Sequence, residues 1–300
     1  MRTISIAVTQ MACSWDRGKN IQRAGEMVEE AASRGAQVVL LQELFETPYF
    51  CLDKDKAYFK EATPAESNPA IKAMQKLAEK YDVVIPVSFY ERDGDRYFNS
   101  LAMIDAGGNV LGVYRKSHIP DFPAYEEAFY FSPGDTGFMV WGTKYAKLGA
   151  GVCWDQWFPE AARIMVLKGA DVLLYPTAIG RPTEASGEMF KDSKSHWQQT
   201  MQGHAAANMT VLASSNRIGV ESGKEFQTQF YGGTFIANHF GTKIAEAGEV
   251  NSEVIVQPFD LDEMAEYRRM WGIFRTRRTD IYGPLCDSRV PERLMDPKRP

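Results

Sequence analysis

Apolar and polar positions along this chain change period several times, and each change marks an element. Ile4, Ile6 and Val8 alternate with Ser5, Ala7 and Thr9, a period of two that predicts a strand over residues 4–10. Over residues 19–33 the apolar positions recur at helical spacing, which predicts an amphipathic helix ending at Arg34-Gly35. Residues 38–42 form a short, nearly continuous apolar run, as a buried strand shows. A second helix is predicted over 68–81, with Ile71, Met74, Leu77 and Ala78 on one face. Strands follow at 83–90, 98–104 and 110–116, and the turn-rich segment 105–109 predicts a hairpin between the last two.

The second half keeps this rhythm. Strands are predicted at 148–153, 172–175, 211–215, 234–237 and 254–257, with Pro258 expected to stop the last. Helices are predicted at 159–168 and 193–208. Strands interrupted by several helices point to a layered α/β fold. No Pro/Gly/Ser-rich linker separates the halves, so a single domain over 1–300 is expected. The loop over 119–137 is long for a compact domain, and such loops are more often functional than idle.

Composition narrows the function. With 44% hydrophobic and 24% charged residues, 300 residues can bury a sizeable core. A net charge of -5 argues against a general binder of nucleic acid or anionic membranes. The arginines at 268, 269, 275, 277 and 278 form the only basic cluster, too local to reverse that argument. No apolar run suits a signal peptide or a membrane span. Cys13, Cys51, Cys153 and Cys286 show no CxxC spacing, so reduced thiols in a cytoplasm are expected. The four histidines lack metal-binding spacing and the glycines form no phosphate loop, so neither a metal nor a cofactor is expected.

Three residues each end a predicted strand: Glu43 closes V-V-L-L-Q-E, Lys116 closes V-L-G-V-Y-R-K, and Cys153 closes L-G-A-G-V-C. Sites in layered α/β proteins gather at the carboxyl ends of strands. A catalytic thiol needs a base or positive surroundings; Glu43 could take its proton and Lys116 could hold an oxyanion. His118, beside the lysine strand, is an alternative base. Each of the three also has an ordinary reading, as a structural thiol or as the first solvated residue after a strand.

Local sequence decides between these. G-V-C-W-D-Q-W-F-P-E (151–160) resembles the nucleophile region of the nitrilase, or carbon–nitrogen hydrolase, superfamily. Q-E-L-F (42–45) and Y-R-K-S-H-I-P-D (114–121) resemble its glutamate and lysine motifs, and F-S-P-G-D (131–135) its block before the cysteine. The resemblance runs on to F-R-T-R-R-T-D-I-Y (274–282) and so covers nearly the whole chain. It implies a four-layer αββα sandwich and a catalytic triad of Cys153, Glu43 and Lys116. It also implies homo-oligomers, with the tail from about 270 at a subunit interface or bracing the core. A second glutamate is implied in the loop before F-S-P-G-D, where Glu126 and Glu127 compete and alignment on F-Y-F favours Glu127. A catalytically silent relative would have lost a triad residue; this chain keeps all three.

The superfamily cleaves nitriles, amides and N-carbamoyl compounds. Its carbamoyl-amino-acid hydrolases tend to carry an arginine just after the nucleophile loop. Here the positions read Asp155-Gln156-Trp157-Phe158, and a buried substrate carboxylate without a cation is costly. Y-P-T-A-I-G (175–180), Glu184, Glu188 and S-H-W-Q-Q-T-M-Q-G-H-A-A-A-N (195–208) resemble the branch that hydrolyses N-carbamoylputrescine in polyamine synthesis from agmatine. Such a diamine derivative carries a distal ammonium, which calls for a carboxylate and aromatic faces. Glu184 is the candidate acid, and Tyr49 and Trp154 the candidate channel walls. An amidase or ureidopropionase of the same superfamily is the alternative.

Overall fold

The computed structural model describes residues 2–183 and 193–287. Its first half carries strands β1 (Thr3–Gln10), β2 (Val38–Leu40), β3 (Ile85–Asp93), β4 (Arg96–Ile104), β5 (Val110–Arg115), β6 (Val140–Gly142) and β7 (Lys147–Ala150). The second half adds β8 (Val172–Pro176), β9 (Gly180–Pro182), β10 (Val211–Ser215), β11 (Ile218–Ser222) and β12 (Gln227–Tyr231). Last come β13 (Phe235–Ala237), β14 (Lys243–Glu246) and β15 (Glu253–Asp260). The helices are α1 (Arg17–Ser33), α2 (Pro69–Tyr81), α3 (Glu127–Tyr130), α4 (Pro159–Leu167), α5 (Ser193–Asn208) and α6 (Leu261–Trp271). They begin as sequence chemistry dictates: Asp16 accepts from the Lys19 N–H at the start of α1, and Asn68 from Ile71 ahead of Pro69 in α2.

One sheet runs β15-β1-β2 and is continued by β3-β4-β5 through a parallel bridge between Val38 and Val84. The other runs β14-β13-β10-β8-β7-β6. The strand period of two decides what each face meets. Ile4, Ile6, Val8, Val38, Leu40, Leu101 and Met103 of the first sheet share one buried core with Leu148, Ala150, Val172, Leu174, Val211, Ala213 and Ile236 of the second. Ala7, Val39, Val87 and Phe89 face the other way, against Ala24, Met27 and Val28 of α1 and Ile71 and Met74 of α2. On the far side, α4 and α5 lie against β7, β10 and β13. This is the αββα sandwich that the resemblance implied. A smaller sheet, β11-β12-β9, stands beside these layers.

Three strand ends differ from expectation. β2 stops at Leu40, and beyond it the Gln42 side-chain amide stands in for a strand partner of Met11, accepting from its N–H at 2.8 Å and donating to its carbonyl at 2.9 Å. β7 stops at Ala150, and Cys153 opens a 3₁₀ turn, Cys153–Trp157. β15 runs through Pro258 to Asp260. Pro258 lies opposite Ser5, whose N–H and carbonyl are turned to Gln37, so the position needs no donor toward β1. β6, β9, β11, β12, β14, α3 and α6 have no counterpart in the apolar pattern. The loop over 119–137 contains α3.

The described residues divide into two compact units, one up to Met264 and one from Ala265 onward. In the second, Arg269 pairs with Glu266 and Arg278 with Asp280, so part of the basic cluster is neutralised locally. No helix among the described residues is long and apolar enough to cross a membrane, and no group of metal-ligating side chains occurs among them.

Candidate active site

Lys116 follows β5 directly, and its N–H donates to the Asn99 carbonyl of β4 at 2.8 Å. The F-S-P-G-D block holds it from the other side, where Gly134 donates to the Lys116 carbonyl at 2.8 Å. A Cβ on Gly134 would stand 2.0 Å from the Arg115 carbonyl oxygen, so only glycine fits. Gly151, two residues before the cysteine, is required in the same way, because a Cβ there would meet the Tyr175 ring at 2.8 Å.

The side chain of Lys116 is fully buried and bridges two buried carboxylates, Glu43 Oε1 at 3.0 Å and Glu127 Oε2 at 2.6 Å. Asn99 donates to Glu43 Oε1 at 2.7 Å, and the Tyr49 hydroxyl to Glu127 Oε1 at 2.6 Å. Glu43 Oε2 is buried and makes no hydrogen bond among the described residues. Burial alone would lower the Lys116 pKa, but Glu127 and Glu43 outweigh it and hold the ammonium well above its ordinary value. Burial raises the Glu127 carboxyl, against the pull of Lys116.

Cys153 is buried, with φ +41°, a left-handed conformation that a non-glycine residue adopts only under constraint. Its Sγ lies 3.8 Å from the Ala178 carbonyl oxygen. Burial pushes the thiol well above its usual pKa and Glu43 adds to this, while Lys116 opposes them. This disfavours the resting thiolate, so nucleophilic chemistry at this sulfur would call for a base to take its proton.

The structure thus brings Glu43, Lys116, Glu127 and Cys153 into one buried cluster. Glu126, the competitor of Glu127, instead pairs with the half-exposed Lys54 at 2.9 Å. His118 stacks on Phe158, ring centroids 3.5 Å apart, with Nδ1 2.8 Å from Asp155 Oδ1. That bond turns its ring toward Asp155. Tyr49 is 1% exposed and lies under the site as a donor to Glu127. Trp154 is half-buried, its ring 5.2 Å from Phe122 and 6.1 Å from Trp157. Glu184 and Glu188 lie outside the described residues.

Residues 5–269 match the carbon–nitrogen hydrolase family. The chain belongs to that family. It is 51% identical to an N-carbamoylputrescine amidase of Arabidopsis thaliana over 95% of both chains. It is 47% identical to a citrullinase of Francisella tularensis over 95% of this chain and 99% of that one. A carbon–nitrogen hydrolase of Helicobacter pylori G27 superposes with a TM-score of 0.90 at 38% identity, covering 96% of this chain and 100% of the other.

Several residues of this hydrolase escaped the sequence reading. Buried Asp155 accepts from Val152 N–H at 3.0 Å, His118 N–H at 3.0 Å and the Tyr114 hydroxyl at 2.7 Å. It thereby ties the lysine loop to the nucleophile turn. Asn99 serves Lys116 through its backbone and Glu43 through its side chain. Asn99 carried a signal, a buried-type strand interrupted by an amide; the lysine-loop partners of Asp155 lie 37 and 41 positions away and left none.

Proposed function

We infer that this chain hydrolyses N-carbamoylputrescine to putrescine, carbon dioxide and ammonia. The observation that carries the reading is the 51% identity to the Arabidopsis amidase along 95% of both chains, in a chain whose own Glu43, Lys116, Glu127 and Cys153 meet in one buried cluster.

Glu43 takes the Cys153 proton on Oε2 as the sulfur attacks the carbamoyl carbon. Two N–H groups of Lys116 serve the carboxylates, and the third, with the Trp154 backbone N–H, receives the oxyanion. Losing one such donor typically costs about 2.7–4 kcal/mol of barrier stabilisation. The adduct collapses, and one amine leaves with the proton from Glu43. Water then gives a proton to Glu43 and attacks the thiocarbamate carbon. Glu43 passes that proton to the departing Cys153 sulfur, and the carbamate released breaks down to carbon dioxide and the second amine. Glu127 holds Lys116 in place throughout.

The distal ammonium is assigned to Glu184, with Trp154 on the channel wall. The Francisella relative supports a second reading, a ureido amino acid as substrate. Against it, Asp155-Gln156-Trp157-Phe158 supplies no cation, and Gln156 is turned inward, accepting from Trp197 at 2.8 Å and Thr177 at 3.1 Å. Ammonia release across N-carbamoylputrescine, citrulline, 3-ureidopropionate and simple ω-amides decides. A kcat/KM at least about tenfold higher for the diamine derivative, a difference of about 1.4 kcal/mol, is expected. A preference for either carboxylate-bearing substrate overturns the reading. Substantial release by Cys153→Ala overturns the mechanism. The same reading places the protein in the cytoplasm as a homo-oligomer with its tail from about 270 at the interface, and light scattering checks the assembly.

A further inference from the structure

Arg217 is 0% exposed, and a buried guanidinium is costly unless its donors are satisfied. One carboxylate, Glu221, accepts from Nη1 at 2.8 and 3.1 Å. The other hydrogen bonds go to backbone carbonyls, Glu43 at 2.7 Å, Leu44 at 3.1 Å and Thr47 at 3.3 Å, and the guanidinium lies over the rings of Tyr49 and Phe230. These carbonyls belong to a turn with no helix or strand of its own, and Leu44 within it has φ +46°. Such a conformation persists only where surrounding structure holds it. Glu221 completes the clamp, since its Oε2 accepts the Tyr49 N–H at 2.5 Å. One ion pair therefore grips both ends of the stretch 43–49. Glu43 stands at one end, and at the other Tyr49 reaches Glu127 with its hydroxyl.

We infer that Arg217, paired with Glu221, is a positioning residue that aims Glu43 at the Cys153 thiol and Tyr49 at Glu127. This rests on the reading of Glu43 as the base. Lysine in place of Arg217 keeps the charge but lacks the fork that reaches several carbonyls and a carboxylate together.

The test uses the full chain carrying Arg217→Gln, Arg217→Lys or Glu221→Gln, each checked for folding by circular dichroism and thermal melting. Two quantities are read: ammonia release from N-carbamoylputrescine, and alkylation of Cys153 by iodoacetamide followed by peptide mass spectrometry. Alkylation needs no substrate, so its outcome stands apart from the substrate assignment. For Arg217→Gln we expect kcat to fall about 100-fold with KM within about threefold, and alkylation to slow by a similar factor, as a misaimed base implies. Arg217→Lys should recover part of both losses. Folded variants with kcat and alkylation within about twofold of the parent overturn the assignment, as does a rise in KM with alkylation unchanged. Should Arg217→Gln fail to fold, Glu221→Gln decides: alkylation about tenfold slower supports the clamp, and an unchanged rate overturns it.

Discussion

Tyr49 shows at the scale of one residue how burial changes a role. The need of a distal ammonium for aromatic faces made it a candidate channel wall, and its buried hydroxyl donates to a carboxylate. The two roles separate kinetically. A wall residue contributes to binding, so its loss raises KM. A donor to Glu127 acts through Lys116 on the transition state, so its loss lowers kcat. For Tyr49→Phe we expect kcat about tenfold lower and KM within about twofold, together with a stability loss of about 1–3 kcal/mol from the unsatisfied carboxylate oxygen. Steady-state kinetics and urea denaturation of the purified variant check both. A rise in KM alone returns Tyr49 to the wall.

At the scale of elements, the site depends on how strands end. The F-S-P-G-D block is a clamp on the last residues of β5, with Gly134 against the Arg115 and Lys116 carbonyls and Asp135 paired with Arg115 and Arg96. Gly134→Ala must push this strand end aside. We expect activity lower by about 100-fold, consistent with a 1 Å shift of Lys116, and a stability loss of about 1–3 kcal/mol from overpacking. Ammonia release and thermal melting test this, and near-parent activity would show that the clamp yields without moving Lys116. Much at this scale was legible. The alternation in β1 and the Asn68-Pro69 start of α2 are local signals, and Glu43, Lys116 and Cys153 each come one to three residues after a strand rather than closing it. What stayed hidden depended on distant partners. The Gln42 side chain meets Met11 from 31 positions away, Pro258 is tolerated because Ser5 faces Gln37, and Arg217 meets Glu43 from 174 positions away. No window of sequence carries such pairings.

For the whole molecule, burial sets the response to alkali. Burial raises the thiols of Cys13 (to about 12), Cys51 and Cys153 and the phenols of Tyr49 and Tyr125; the Lys116 ammonium is raised by its two carboxylates against the effect of burial. The sign is the same for each, because the folded chain keeps a proton that the unfolded chain releases at lower pH. Unfolded thiols ionise near about 8.5 and tyrosine and lysine near about 10. Stability should therefore be intact below about pH 8 and fall as pH rises, by about 1.4 kcal/mol per pH unit for each group once its unfolded form ionises. Urea midpoints measured from pH 7 to 10.5 test this; a flat or rising series would contradict it.

The burial of Cys153 has one more consequence, outside catalysis altogether. Peroxide attacks thiolates, and the cysteines most easily lost to sulfinic acid are exposed and already ionised. A thiol that is buried and held above its usual pKa offers an oxidant less thiolate and less access than an exposed one. The same burial that, in the proposed mechanism, makes this sulfur call on Glu43 for each attack should slow its loss to oxidants.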